Sequence, residues 1–293
     1  MRCAGASADR PVHLKLENLQ PAGSFKLRPI ANAMLSRPRS ALSDGVHTFS
    51  SGNSSVAMAW MARSMGVTST AVVPEGAPQS KLELLRTLDA RIVSEPFAEW
   101  WSAVTSGGAS QFAGVYIDAV RDPAAFAGNG TIAREILEDV PDVDAVFVPF
   151  GGGGLACGIA NGLRAAGSTA KVIACELETA HPFKAARAAG GPVESTCDPG
   201  FVTGVGFGSV LAEMWPLANR LIDDTLTVSL SEVVDAIKLL AMGNHVVAEG
   251  AGAIPVAAAL SKRHRYEKVC AVVSGGNLDA ALLAKILLGA DVG

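Results

Sequence analysis

An α/β fold, with parallel strands covered by helices, is what this sequence predicts. Three observations predict it. Short β-branched runs alternate with longer Ala- and Leu-rich segments along nearly the whole chain, the pattern of βα units. The chain is 49% hydrophobic but only 5% aromatic, and Ala, Val and Leu carry most of the apolar content, which suits buried parallel strands under small-residue helices. The most apolar of those runs opens onto four consecutive glycines and then a small-residue helix pattern. At 293 residues the chain is long enough for one or two domains.

The elements follow in order. Strands are expected at Val12 to Leu16, Val46 to Phe49, Ser69 to Val73, Arg91 to Ser94, Val115 to Asp118, Ala145 to Pro149, Lys171 to Cys175 and Lys268 to Val273. Helices fill most of the gaps. From Asn53 to Met65, the positions of Val56, Ala57, Trp60 and Met61 predict an amphipathic helix with one buried face. A longer helix is expected to start near Ser231 as N-cap, with Glu232 in its first turn, and to run to about Val246.

Composition excludes several classes. With a net charge of −4 and no Lys/Arg stripe or basic tail, nucleic acid is not an expected partner. Met1 to Pro11 has no apolar targeting core, and no apolar stretch reaches the ~18 residues of a membrane span, so no membrane partner is expected. Five cysteines without CxxC or His-flanked spacing suggest neither a disulfide framework nor a zinc site, and fit a reducing cytoplasm.

Ala145 to Phe150 leads into Gly151, Gly152, Gly153 and Gly154, followed by the helix pattern beginning at Leu155. Such a loop lets the backbone approach a ligand closely, and the helix start turns N–H groups toward an anion, so a phosphate is the natural occupant. The same residues fit G-x-G-x-x-A through Gly151, Gly153 and Ala156, with Glu176 placed to hold a ribose. The loop alone leaves a dinucleotide and another phosphorylated cofactor both open.

Three further segments lie at expected carboxyl ends of strands, where open α/β sheets bind ligands: Leu16 to Arg28 with Gly23-Ser24-Phe25-Lys26, Ser50-Ser-Gly-Asn-Ser-Ser55, and Ser274-Gly-Gly-Asn277. With the glycine loop and Gly128-Asn-Gly-Thr131, in this order, the sequence resembles the fold-type II pyridoxal-phosphate enzymes, in particular the serine/threonine dehydratase and serine racemase family. The resemblance covers nearly the whole chain. It implies two open twisted, mostly parallel sheets, with a large cofactor-binding domain from 1–43 and 122–293 and a small domain from 44–121. It also implies a homodimer acting on a small amino acid, and a strand and helix before Val12 that are not present.

The resemblance implies pyridoxal 5'-phosphate as cofactor and Lys26 as the Schiff-base lysine, with Phe25 beside the cofactor. Asn53 would bind the ring oxygen, Gly151 to Leu155 the phosphate, and Ser274 the pyridine nitrogen, with Glu249 near the ring. A hydroxyl at Ser274 leaves that nitrogen unprotonated and suits β-elimination. Ser50, Ser51, Gly52 and Ser54 would bind the substrate carboxylate, and Ser51 aligns with the second acid/base of the racemases. The expected activity is dehydration of a β-hydroxy amino acid such as L-serine or L-threonine to a 2-keto acid and ammonia. A racemase is the near alternative. A NAD-dependent oxidoreductase using the Gly151 loop, or a non-catalytic binding protein, is the distant one.

Departures from the family pattern bear on substrate and metal. Ser54 stands where many dehydratases have His, and Ile117-Asp-Ala-Val120 replaces the usual His-Pro segment. Thr203 stands where a cation-binding Asp is expected before Gly204, so no metal site is expected.

Overall fold

The computed structural model describes residues 1–77, 79–108 and 111–292. Strand β1 (Val12–Leu16) comes first. Then follow α1 (Leu27–Leu35), β2 (Val46–Phe49), α2 (Asn53–Met65), β3 (Ser69–Pro74), α3 (Gln79–Thr87), β4 (Arg91–Glu95), α4 (Phe97–Ser106), β5 (Val115–Tyr116) and α5 (Pro123–Asp139). The remainder is β6 (Ala145–Pro149), α6 (Gly154–Ala165), β7 (Lys171–Leu177), α7 (Pro182–Ala189), α8 (Trp215–Leu221), β8 (Asp224–Val228), α9 (Leu230–Gly243), α10 (Gly250–Leu260), β9 (Val269–Val273) and α11 (Ala280–Leu288).

Contacts divide the chain into a larger unit, Met1–Leu19 with Asn129–Gly293, and a smaller one, Gln20–Gly128. The crossings expected at 43/44 and 121/122 are drawn here at 19/20 and 128/129. Helix α1 groups with the smaller unit because its apolar face, Leu27, Ile30, Ala33 and Met34, shares a core with Val56, Ala57 and Met61 of α2.

The larger unit is built on a five-stranded parallel sheet in the order β1-β9-β6-β7-β8. All five residues of β6 and of β9 are buried, as expected for central strands covered on both faces. Helix α10 is buried from Gly250 to Ala259 and packs on β9, β6 and α9, so it is apolar all round instead of amphipathic. The smaller unit has a four-stranded parallel sheet in the order β4-β3-β2-β5. Both sheets agree with the sequence reading.

Beyond small shifts at the ends of β3, β4, β7 and β9, three elements differ from it. Strand β8 was not expected: it lies at the sheet edge, and its Thr225 and Thr227 dilute the apolar signal. Strand β5 ends at Tyr116, because Asp118 turns the chain by accepting N–H groups from Val120 and Arg121. Helix α9 is capped by Ser229, not Ser231: Ser229 accepts from Glu232 N at 3.2 Å and Glu232 Oε2 accepts from Ser229 N at 2.8 Å, a complete capping box.

Candidate functional site

In the larger unit, β6 and β9 are neighbours in the sheet, and the glycine loop and the Ser274 turn leave them at the same carboxyl end. The loop is shaped for close approach. A Cβ on Gly151 would stand 2.5 Å from the carbonyl oxygen of Gly204, and Gly153, at φ 84°, is left-handed and would set its Cβ 2.8 Å from Met214 Cγ. Gly153 is the N-cap of α6 and no side chain caps that helix. The first-turn N–H groups of a helix have no intrahelical acceptor, so this start is a fitting seat for a phosphate. Gly151, Gly152 and Gly154 are half-buried, whereas Gly153 and Leu155 are buried.

Ser274 is 3% exposed, an uncharged hydroxyl at the end of β9. Glu249 joins the same cluster: it is the N-cap of α10, 6% exposed, and its N–H donates to Gly275 O at 3.0 Å. The close approach depends on Gly252, whose Cβ would lie 2.6 Å from Gly275 O. Asn18, in the turn that follows β1, donates from Nδ2 to Val247 O at 2.9 Å and braces the loop that leads into Glu249. The sequence reading did not single out Asn18, Gly204 or Gly252, because their roles lie in contacts between distant segments.

In the smaller unit, Gly23, at φ 70°, makes the turn that presents Phe25 and Lys26. Lys26 is the N-cap residue of α1, and its Nζ lies 5.0 Å from the centroid of the Phe25 ring. In the larger unit, burial opposes the charge of Lys15, but Glu135 at 2.6 Å and Glu17 at 3.0 Å outweigh that and raise its pKa, so it is held as a cation. The seating of α1 also requires Gly128, where a Cβ would collide with Arg28 O and Pro29.

Ser50 to Ser54 connect β2 to α2. Ser50 Oγ accepts from Gly52 N at 3.1 Å and Ser55 Oγ donates to Gly52 O at 2.7 Å, so the turn is fixed by its own hydroxyls. Gly52 N–H is thus engaged within the turn, and an incoming carboxylate would be met by the start of α2, at Asn53 and Ser54. Ser50, Ser51, Gly52, Asn53 and Ser54 are all half-buried.

The dinucleotide reading does not survive at Glu176. This residue lies within β7, is 1% exposed, and its two oxygens accept from Phe183 N at 2.8 Å and Lys184 N at 3.0 Å at the start of α7. It caps a helix from a buried position, where its carboxylate is not open to a ribose. Among the described residues no group of three or more His, Cys, Asp or Glu is placed to hold a metal ion. No helix is long and apolar enough to cross a membrane, among the described residues.

In the larger unit the uncapped start of α6 behind the glycine loop and the buried hydroxyl of Ser274, and in the smaller unit the lysine at the start of α1, are each groups of a kind that fits pyridoxal phosphate. The model of the pyridoxal-phosphate-dependent enzyme family matches residues 2–275. The L-threonine ammonia-lyase of Geobacter sulfurreducens is 34% identical over 281 residues, covering 94% of this chain and 70% of that protein. The catabolic L-threonine dehydratase of Escherichia coli is 33% identical, covering 97% and 87%. The structure of maize serine racemase superposes with a TM-score of 0.86 at 29% identity, over 99% of this chain and 91% of that one.

Proposed function

Because this chain belongs to the pyridoxal-phosphate-dependent enzyme family, we propose that it is an ammonia-lyase that converts L-threonine or L-serine to a 2-keto acid and ammonia. The observation that carries this reading is Ser274, a buried hydroxyl where a carboxylate would favour a protonated ring. The threonine ammonia-lyase and dehydratase relatives support it.

The chain's residues divide the work. Gly151 to Leu155 and the start of α6 would hold the phosphate, Ser274 would donate to the pyridine nitrogen, and Glu249 and Phe25 would lie by the ring. Asn53 would hold the ring oxygen. The turn at Ser50, Ser51, Gly52 and Ser54, with the start of α2, orients the substrate carboxylate. When bound, the cofactor supplies an electron sink for the pair left as the Cα–H bond breaks. Lys26 takes that proton on Nζ and returns it to the departing β-oxygen, which leaves as water. Hydrolysis of the released enamine consumes one water, so the net products are the keto acid and ammonia.

Ser51 supports a second reading, amino-acid racemisation, because it supplies a hydroxyl able to act as a second acid alongside Lys26. The two readings separate in one assay: the pyridoxal-phosphate-loaded protein, given L-serine and L-threonine, is followed for keto acid and for D-amino acid. Keto acid in excess supports the lyase. D-Serine without matching pyruvate overturns it. The working form is proposed to be a cytoplasmic homodimer; unpaired cysteines at all five positions are consistent with a reducing compartment.

A further inference from the structure

Asn129 stands in α5 and is 1% exposed. Its Nδ2 donates to the carbonyl oxygen of Gly154 at 3.1 Å, while its Oδ1 is buried with no partner. An amide satisfied at one end only is a poor choice for a buried position, where an apolar side chain of similar size would be favoured. The bond to Gly154 is the feature that an apolar residue could not supply. Gly154 is the first residue of α6 and the last of the four loop glycines.

The surrounding packing makes that bond a fixed strut. A Cβ on Gly162 would lie 2.7 Å from Gly130 O and 2.8 Å from Ala133 Cβ, and one on Gly130 would lie 3.3 Å from Gly158 O. Helices α5 and α6 therefore meet backbone to backbone, with no flexible side chain between them to absorb a shift. In that setting one hydrogen bond at the mouth of the seam sets where the first turn of α6, and its N–H groups, sit.

We propose that Asn129 is a positioning residue for the phosphate seat: through Gly154 it holds the loop's N–H groups in the arrangement that binds the cofactor's phosphate. This rests on the reading of Gly151 to Leu155 as that seat.

The test is equilibrium binding to cofactor-free protein, followed by absorbance and fluorescence, for wild type, Asn129→Ala and Asn129→Asp. Each is titrated with pyridoxal phosphate and with pyridoxal, which lacks the phosphate. The expected result is a tenfold or greater loss of pyridoxal-phosphate affinity in Asn129→Ala and a larger loss in Asn129→Asp, which turns an acceptor toward the Gly154 carbonyl. Pyridoxal affinity should stay within twofold. Equal loss for both ligands, or no loss for either, overturns the proposal, since a general structural role would not discriminate by phosphate. If wild type itself binds neither ligand, the phosphate-seat reading fails as well, and the two failures are thereby told apart. Melting temperatures of the cofactor-free proteins identify a variant that does not fold. Asn129→Ser, which keeps a donor, is then the second variant, and partial recovery of pyridoxal-phosphate affinity relative to Asn129→Ala is expected there.

Discussion

Replacing Gly151 by alanine puts a methyl carbon 2.5 Å from the Gly204 carbonyl oxygen. An ordinary C···O contact is about 3.3–3.6 Å, so the loop or its neighbour must move by roughly 1 Å. The obstacle is backbone, not the end of a flexible side chain, so the shift passes into the glycine loop. A phosphate hydrogen bond stretched by about 1 Å from ~2.9 Å is no longer a bond. Loss of one such charge-assisted bond is worth about 1.5–3 kcal/mol, or roughly 10- to 150-fold in affinity. The assay is titration of cofactor-free Gly151→Ala with pyridoxal phosphate, beside wild type at equal protein concentration. Affinity within twofold of wild type, in a variant that melts as wild type does, would refute the reasoning that this loop seats the phosphate.

Two further predictions concern pH. Burial pushes the Glu176 carboxyl from an ordinary 4.5 up to about 7, against the pull of the N–H groups of Phe183 and Lys184. The folded state then binds more protons than the unfolded between these values, so stability falls as pH rises through that window, by roughly 3 kcal/mol; denaturant melts should show this slope, and Glu176→Gln should flatten it. His47 behaves in the opposite sense: burial beside Phe49, Phe112 and Tyr116 lowers its pKa below the ordinary 6.5. The stability tied to the neutral ring is full above 6.5 and is lost as pH falls through the lowered value, so His47→Phe should melt with less acid sensitivity than wild type between pH 7.5 and 5.

Local patterns made much of this legible in the sequence. Strands β1, β2 and β6 and helix α2 have the expected bounds, but α2 does not have the single buried face expected of it: Ser55 to Ala59 are buried without a break, as are Met61 and Ala62, while Trp60 is only half-buried. The glycine loop, the Ser50 turn and Ser274 are short linear motifs, each found at a strand end, whereas Lys26 lies well beyond β1, at the start of α1. Strand β8 escaped because an edge strand is only partly covered, with Val228 alone of its five residues buried, and needs fewer apolar ones. Ser229 was readable in principle, since Ser229-x-x-Glu232 is a capping box that starts just before the expected N-cap at Ser231. Asn18, Gly204 and Gly252 were not, because each matters through a contact with a segment far away in sequence; Asn129 stood in the Gly128-Asn-Gly-Thr131 motif, but its bond to Gly154 was not readable there. Glu176 shows the converse: spacing suggested a ribose acid, but a helix start folded against β7 consumes both of its oxygens.

The central claim is that Lys26 moves the substrate's Cα proton in an elimination. The most direct test is the rate of keto-acid formation from L-threonine and L-serine by pyridoxal-phosphate-loaded wild type and Lys26→Ala. The account predicts turnover by wild type and a loss of at least 10³-fold in Lys26→Ala, larger than the ~10²–10⁴ range of a general base acting alone would require at its lower end. Equal keto-acid formation by the two proteins would contradict it.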